Sequence, residues 1–305
     1  MLIITTNKSP DLDGIACVIA YSELKKTMRV PHQAFYAGNI NLETEFVSNF
    51  TKTFPFAKHE GNYEPDSQFI IVDGSYALAL EKTIPLNLVI EVWDHHLPAF
   101  LEDFPNSVLN HVEKIGACAT LIAEEFQTKS ITPSASTATY LYSAIVSNTI
   151  NFKNQLTTGR DIQAAQWLEK FAELPEDYVY QMFKSKSVIS KANLEKILTE
   201  DFVLQEINGK RIGITQLEIV DLRKFFEEHK AEFIKVLTKL KAANHLDLLL
   251  FNGIDIFAAK NLYFVIDAES DLFFSKLLNG NDLRSGFSSE TIMMRKQIWG
   301  LANVA

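Results

Sequence analysis

Residues suited to binding divalent cations occur at three places in the first 100 positions of the sequence. Asp11 and Asp13 are separated by one residue, Asp73 follows an apolar run, and positions 94–96 read Asp-His-His. Two carboxylates spaced this closely in an irregular loop can point into one pocket. Hard oxygen ligands of this kind suit Mg²⁺ or Mn²⁺, and imidazole adds a nitrogen ligand.

Each acidic residue also has an ordinary structural interpretation. Asp11 or Asp13 could cap the N-terminus of a helix, and Asp73 could form a turn before Gly74. The histidine pair at 95–96 is harder to explain in this way, because polar rings after a buried strand need partners. Carboxylates packed together repel one another, so a cluster of all three groups would be most stable with cations bound.

The elements that position these residues form an α/β pattern. Apolar runs of strand type alternate with helical periodicity, which predicts a mostly parallel sheet flanked by crossover helices. The predicted strands are 2–6, 69–72 and 88–92, with a weaker candidate at 33–37, and the predicted helices are 15–26, 42–50, 117–126 and 134–147. The three acidic groups then fall just past strand ends, where open α/β sheets build their sites.

The second part of the chain has a different pattern. Residues 187–196 contain little apolar sequence and predict a linker between a metal-binding catalytic domain at 1–186 and a smaller α/β domain at 197–305. Asn208-Gly209 predicts a hairpin turn, and a long amphipathic helix is expected at 221–241. Strands are expected at 246–251 and 262–266.

Composition limits the classes of function. The chain has 305 residues, 47% of them hydrophobic, and a net charge of −9, which argues against binding a nucleic-acid polymer. We find no segment like a signal peptide and none near the roughly 20 apolar residues that cross a bilayer, so we expect a cytoplasmic protein with no membrane partner. Cys17 and Cys118 lie in apolar helical patterns and are expected to be buried free thiols.

The order of these groups along the chain resembles that of the DHH phosphoesterase superfamily. Asp11-Leu12-Asp13, Val72-Asp73 and Asp94-His95-His96 are followed by a glycine–threonine helix start at 116–120 and a fourth group at 147–153. In the second half, 208–216 and Arg295-Lys296-Gln297 are similar to segments of the manganese-dependent (family II) inorganic pyrophosphatases and related exopolyphosphatases, which carry the second type of DHH-associated C-terminal domain. The resemblance spans nearly the whole chain.

The resemblance implies a phosphohydrolase with its active site in the cleft between two domains and with two Mn²⁺ or Mg²⁺ ions. It implies that Asp73 bridges the ions, that Asp11 serves one ion, and that Asp13 and His95 serve the other. His96, Asp73 and Asp94 would be the catalytic residues, with Asp94 orienting a histidine. A small phosphorylated substrate would be bound by His96, Arg295 and Lys296.

This sequence departs from the pyrophosphatase pattern in the first and in the fourth of the metal-binding motifs. Asn7 stands where those enzymes have a histidine ligand, and eukaryotic exopolyphosphatases also have an asparagine there. Asn148 stands where the pyrophosphatases have an aspartate ligand. An amide oxygen is a weaker donor than a carboxylate, so one of the two metal sites is expected to be weakened or rearranged. Met294 and Val203 replace expected cations, which predicts weak affinity for pyrophosphate itself.

Three functions therefore remain open on the sequence. The first is hydrolysis of a phosphoanhydride, with short inorganic polyphosphate the leading substrate class. The second is a phosphodiesterase for short oligonucleotides or dinucleotides, although the glycine-rich, histidine-containing motif usual in those relatives is missing. The third is a noncatalytic paralogue that binds a phosphorylated ligand or a protein. Relatives occur as monomers and dimers, so a homodimer also stays open.

Overall fold

The computed structural model describes residues 1–54, 58, 63–97, 99 and 101–303 and divides into two compact units, Met1–Ser185 and Lys186–Ala305. The linker expected at 187–196 instead lies within the second unit. The reason is that Leu194, which begins a helix, is fully buried in the hydrophobic core of that unit.

The first unit contains a parallel sheet of five strands. Its strands are β1 (Leu2–Thr5), β2 (His32–Ala34), β3 (Gln68–Val72), β4 (Val89–Asp94) and β5 (Leu109–Val112), in the spatial order β2-β1-β3-β4-β5. Phe69–Val72 is at most 1% exposed, as expected for a strand covered by helices on both faces. Thr5 pairs with Ile71, and Val72 pairs with Trp93. The carboxyl ends of β1, β3 and β4 therefore lie side by side.

Six α-helices surround this sheet in the part of the first unit that the structure describes. They are α1 (Leu12–Thr27), α2 (Leu42–Thr51), α3 (Cys118–Thr128), α4 (Ala135–Asn148), α5 (Gly159–Leu168) and α6 (Tyr178–Lys186, whose last residue falls in the second unit). Every residue of α1 from Leu12 to Tyr21 is buried. Cys17 in α1 and Cys118 in α3 are buried free thiols, as predicted.

The second unit contains a mixed sheet of five strands in the order β10-β9-β8-β7-β6. Its strands are β6 (Phe202–Ile207), β7 (Lys210–Ile219), β8 (Leu248–Asp255), β9 (Lys260–Phe264) and β10 (Phe287–Ser289), and its helices are α7 (Leu194–Glu200), α8 (Leu222–Ala243), α9 (Ala268–Leu277) and α10 (Arg295–Ala302). Only the β7–β8 pair is parallel among the described strands of this sheet. Asn208 and Gly209 have φ of +52° and +73°, so they form the predicted tight turn between β6 and β7.

The predicted α/β class, with a parallel sheet followed by a smaller α/β unit, is confirmed. Short or weakly periodic elements were missed, namely β5, β10, α5, α6, α7, α9 and α10. None of the helices in the described residues is both long enough and apolar enough to cross a bilayer.

Candidate metal centre

The acidic groups predicted from the sequence meet at the carboxyl edge of the parallel sheet. Asp73 directly follows β3 with a φ of +55°, and Asp94 is the last residue of β4. Asp11 and Asp13 lie at the start of α1, which follows β1. Because these strands are parallel neighbours, the residues converge on one region of the first unit.

Asp73 presents an unpaired oxygen at the centre of this region. Its side chain is 2% exposed, and its Oδ1 has no hydrogen-bond partner among the described residues. That oxygen lies 3.6 Å from Nε2 of His95 and 3.8 Å from Nδ1 of His96. Burial raises the pKa of Asp73 well above its usual value, and the neighbouring carboxylate of Asp13 raises it further. A cation would remove this electrostatic penalty.

His95 has one nitrogen anchored and the other directed at carboxylates. Its Nδ1 lies 3.2 Å from the carbonyl oxygen of Ile115, which can only accept, so Nδ1 carries the proton. In the neutral ring the lone pair is then on Nε2, which is 3.6 Å from Oδ2 of Asp13 and 3.6 Å from Oδ1 of Asp73. An imidazole held through its other nitrogen in this way is the usual arrangement for a metal ligand.

His96 is tied to Asp94 and is largely open to solvent. Oδ1 of Asp94 accepts from the backbone N–H of His95 at 2.7 Å, from that of His96 at 3.2 Å and from Nδ1 of His96 at 2.8 Å. Burial alone would raise the pKa of Asp94, but the hydrogen bonds from His96 and Ser75, together with the charge of His96, outweigh it and lower the pKa. The hydrogen bond to Asp94 raises the pKa of His96, whose side chain is 64% exposed.

Asp13 is fully buried and surrounded by donors. Its Oδ2 accepts from the backbone N–H of Cys118 at 2.8 Å and from the side-chain amide of Asn148 at 2.7 Å, and its Oδ1 accepts from the N–H of Ala119 at 2.8 Å. Cys118 and Ala119 begin α3, so Asp13 lies at a helix N-terminus, which favours negative charge. Burial nevertheless leaves the pKa of Asp13 raised, although His95 opposes this.

Asp11 and Asn7 make local contacts at the rim. Oδ1 of Asp11 caps α1 by accepting from the N–H groups of Asp13 and Gly14 at 2.9 and 3.2 Å. The side-chain amide of Asn7 donates to the carbonyl oxygen of Asp73 at 3.1 Å, and its oxygen accepts from the N–H of Ser9 at 3.0 Å. Asn7 thus contacts the backbone of Asp73, which has the left-handed conformation.

The two basic residues singled out in the sequence belong to the second unit. Nη1 of Arg295 lies 2.6 Å from the carbonyl oxygen and 2.6 Å from the Oδ1 of Asp201, so an acidic partner already neutralises this guanidinium. Lys296 is exposed and makes no hydrogen bond or ion pair within the described ranges. Of the two, Lys296 is the cation available to an anionic ligand.

Comparison with known proteins assigns this chain to a family. The model of the DHH family N-terminal domain matches residues 1–145, and that of the DHHA2 domain matches residues 180–301. A Clostridium acetobutylicum protein assigned as a manganese-dependent inorganic pyrophosphatase is 31% identical over 275 residues, covering 89% of this chain and 87% of its own. This chain belongs to the DHH family.

Three further matches extend over nearly the whole of this DHH-family chain. The manganese-dependent inorganic pyrophosphatase of Methanothrix thermoacetophila is 27% identical, covering 97% of this chain and 95% of its own. A crystal structure from Methanococcus jannaschii assigned as a family II inorganic pyrophosphatase has a TM-score of 0.64 at 26% identity, covering 99% of this chain and 100% of its own. An exopolyphosphatase-related protein from Bacteroides fragilis (TM-score 0.51, 11% identity, 98% of this chain and 89% of its own covered) shares the fold.

The donor atoms of this DHH-family chain fit a divalent cation. One atom from each of Asp73, His95 and His96 can be chosen so that all three lie within 4.8 Å of one another. The orphaned Oδ1 of Asp73 and the Nε2 lone pair of His95 are ligand types that Mn²⁺ accepts. His96 offers less, because its Nδ1 is already used by Asp94.

Two features of the site were not found from the sequence. A Cβ on Gly14 would lie 2.6 Å from Oγ1 of Thr6 and 3.2 Å from Oδ2 of Asp73, so only glycine allows Asp73 to approach α1 this closely. The glycine directly after the Asp11/Asp13 pair was the available signal. The second feature is a pocket of about 310 Å³ beside His96, to which Tyr76 and Leu97 contribute. No sequence pattern marked it.

Proposed function

We propose that this chain is a divalent-metal-dependent phosphohydrolase that cleaves a phosphoanhydride, with short inorganic polyphosphate or pyrophosphate as substrate and Mn²⁺ or Mg²⁺ as cofactor. The observation that carries the proposal is the buried Oδ1 of Asp73, which has no hydrogen-bond partner among the described residues and faces Nε2 of His95 at 3.6 Å. The names of the relatives support manganese. The proposal keeps the cytoplasmic location, and it keeps both the monomer and the homodimer open.

The residues would divide the work as follows. A cation held by Asp73 and His95 would supply the positive charge that polarises a phosphoryl oxygen and acidifies water. His96 lines the pocket, and Asp94 raises its pKa. A protonated His96 would donate a hydrogen bond to a phosphate oxygen and a proton toward the leaving group.

The walls of the pocket favour a second candidate, a phosphodiesterase. Tyr76 is 42% exposed and Leu97 is 53% exposed, and both lie at the pocket that Asp73 and His96 also line. Inorganic phosphates have no apolar part to place against such side chains. A nucleoside or aryl group attached to the phosphate would bury them.

One substrate panel tests both candidates. Purified protein with Mn²⁺, Mg²⁺ or Co²⁺ is assayed against pyrophosphate, tripolyphosphate, a dinucleotide and an aryl phosphodiester. The matched variants are Asp73→Asn, which removes the central carboxylate, and Asp66→Asn, which removes an exposed one elsewhere in the unit. Turnover of the inorganic substrates that D73N abolishes and D66N retains supports the proposal.

The alternatives give different results in the same panel. Turnover confined to the dinucleotide and aryl ester would favour the phosphodiesterase. No turnover of any substrate with any of the metals would leave the noncatalytic ligand-binding protein as the explanation.

A further inference from the structure

We propose that Asn148 keeps Asp13 out of metal ligation, so that this chain binds one divalent cation tightly, at Asp73 and His95, and a second one only weakly. The inference rests on the metal centre of the proposed function and is independent of the substrate. It concerns how many ions the centre holds before any phosphate is present.

The oxygens of the Asp13 carboxylate are already occupied by hydrogen-bond donors. Each carboxylate oxygen has two lone pairs. Those of Oδ2 are taken by the N–H of Cys118 at 2.8 Å and by Nδ2 of Asn148 at 2.7 Å, and Oδ1 accepts from Ala119 at 2.8 Å and contacts Sγ of Cys17 at 3.5 Å. A cation could use Asp13 only if one of these donors moved away.

The Asn148 amide is oriented with its nitrogen toward Asp13. An ionised carboxylate only accepts hydrogen bonds, so it is the NH₂ group of Asn148 that faces Asp13 and not the carbonyl oxygen. The oxygen is the only atom of this amide that can bind a cation, and it lies on the other arm of the planar group. Asn148 therefore neither contributes a ligand nor leaves Asp13 free to be one.

Asp73 differs from Asp13 in having an oxygen that receives no hydrogen bond from the described residues. Its Oδ1 is buried and has no hydrogen-bond partner in the part of the chain that the structure describes, and Nε2 of His95 is free because Nδ1 bonds to Ile115. No donor has to be displaced for a cation to enter here. A second cation would have to replace the hydrogen bond from Asn148 and would meet a neutral amide in place of a charged ligand.

The test is Mn²⁺ stoichiometry on the full chain without substrate, by equilibrium dialysis and calorimetry, with Mn²⁺ EPR to distinguish isolated from spin-coupled ions. The variants are Asn148→Asp and, as matched control, Asn151→Asp, which adds the same charge three residues away. We expect one tight equivalent with an isolated-ion spectrum for the parent chain and for N151D. For N148D we expect a second equivalent, tightened about tenfold or more, and spin coupling.

A metal-free N148D chain faces repulsion between positions 13 and 148, so its melting temperature is also measured with and without Mn²⁺. A larger Mn²⁺-dependent rise for N148D than for the parent supports the inference even if the metal-free variant is poorly folded. Two tight equivalents in the parent chain, or an unchanged single equivalent in folded N148D, would overturn it. One tightly bound equivalent of Mn²⁺ with no phosphohydrolase activity would support the inference and contradict only the proposed function.

Discussion

Nδ1 of His96 lies 2.8 Å from Oδ1 of Asp94, and this contact separates the roles of two adjacent histidines. His95 directs its free Nε2 toward Asp13 and Asp73, whereas His96 has its Nδ1 occupied and its ring 64% exposed. This geometry supports the proposal that His95 is a ligand and that His96 is a donor to an incoming molecule.

Replacing the two histidines separately should affect different quantities. His95→Gln removes the ligating nitrogen and should raise the Mn²⁺ dissociation constant about 10- to 100-fold. His96→Gln should lower kcat about 100-fold on the substrate found in the panel, because the proton donor is lost, and should leave Mn²⁺ affinity nearly unchanged. Calorimetric titration and steady-state kinetics measure the two effects. Equal losses of Mn²⁺ affinity in both variants would show that His96 is a ligand too.

Gly14→Ala should damage the site through packing. Its Cβ would come within 2.6 Å of Oγ1 of Thr6 and 3.2 Å of Oδ2 of Asp73, so the Thr6 side chain must shift and Asp73 must give way slightly. We expect the free energy of unfolding to fall by about 1–3 kcal/mol and Mn²⁺ affinity to fall with it. Gly159→Ala is the control, since nothing lies within 4 Å of the Cβ it would add. If G14A and G159A match in urea melts and Mn²⁺ titrations, the close approach of Asp73 to α1 is unimportant.

Asn261→Ala should disconnect the segment that carries Arg295. Asn261 is 1% exposed, and its side-chain oxygen accepts from the N–H of Met293 at 2.7 Å. Its side-chain nitrogen donates to the carbonyl oxygen of Met293 at 2.9 Å and to Oδ1 of Asn252 at 2.6 Å. The N–H of Met293 and Oδ1 of Asn252 lose their hydrogen bonds to Asn261, which should lower the free energy of unfolding by about 2–3 kcal/mol.

The same variant tests the role of the basic segment at 295–296. If these residues bind substrate, N261A should raise KM with little change in kcat. The exposed Asn303, whose side chain donates to the carbonyl of Trp299, offers the control Asn303→Ala. An unchanged KM in a destabilised N261A chain would remove the segment from substrate binding.

The pH dependence of stability in the second unit should include the Asp267–Lys241 pair. Burial alone would raise the pKa of Asp267, but Nζ of Lys241 at 2.8 Å and the N–H of Ser270 at 2.9 Å outweigh it and lower the pKa. A lowered folded-state pKa adds stability above the unfolded value of about 4, and this stability is lost as the pH falls through the folded value.

The partly exposed position limits this contribution to under about 1 kcal/mol. Asp267→Asn keeps the helix cap of α9 but not the charge, so its melting temperature should fall less than that of the parent chain between pH 6 and pH 3. Parallel pH profiles for the two proteins would show that the pair contributes nothing.

Residue types and spacing were sufficient to predict the α/β class, the longer strands and helices, and the convergence of residues 11, 13, 73 and 94–96. These predictions hold because apolar periodicity reports burial directly, and because parallel strands place their carboxyl ends at one edge whatever the loops contain. Short elements such as β5 and α7 were missed, since four to seven residues show too little periodicity.

Only the tertiary structure decided how each polar side chain is used. Asn148 and Asp13 are 135 positions apart and share a hydrogen bond, and Asp201 neutralises Arg295 across 94 positions. Neither partner could be read from local sequence, because lone pairs and charges are taken up by whatever the fold brings within about 3 Å. The sequence thus placed the donors at one edge, and the folded chain determined which of them remain free for a metal ion.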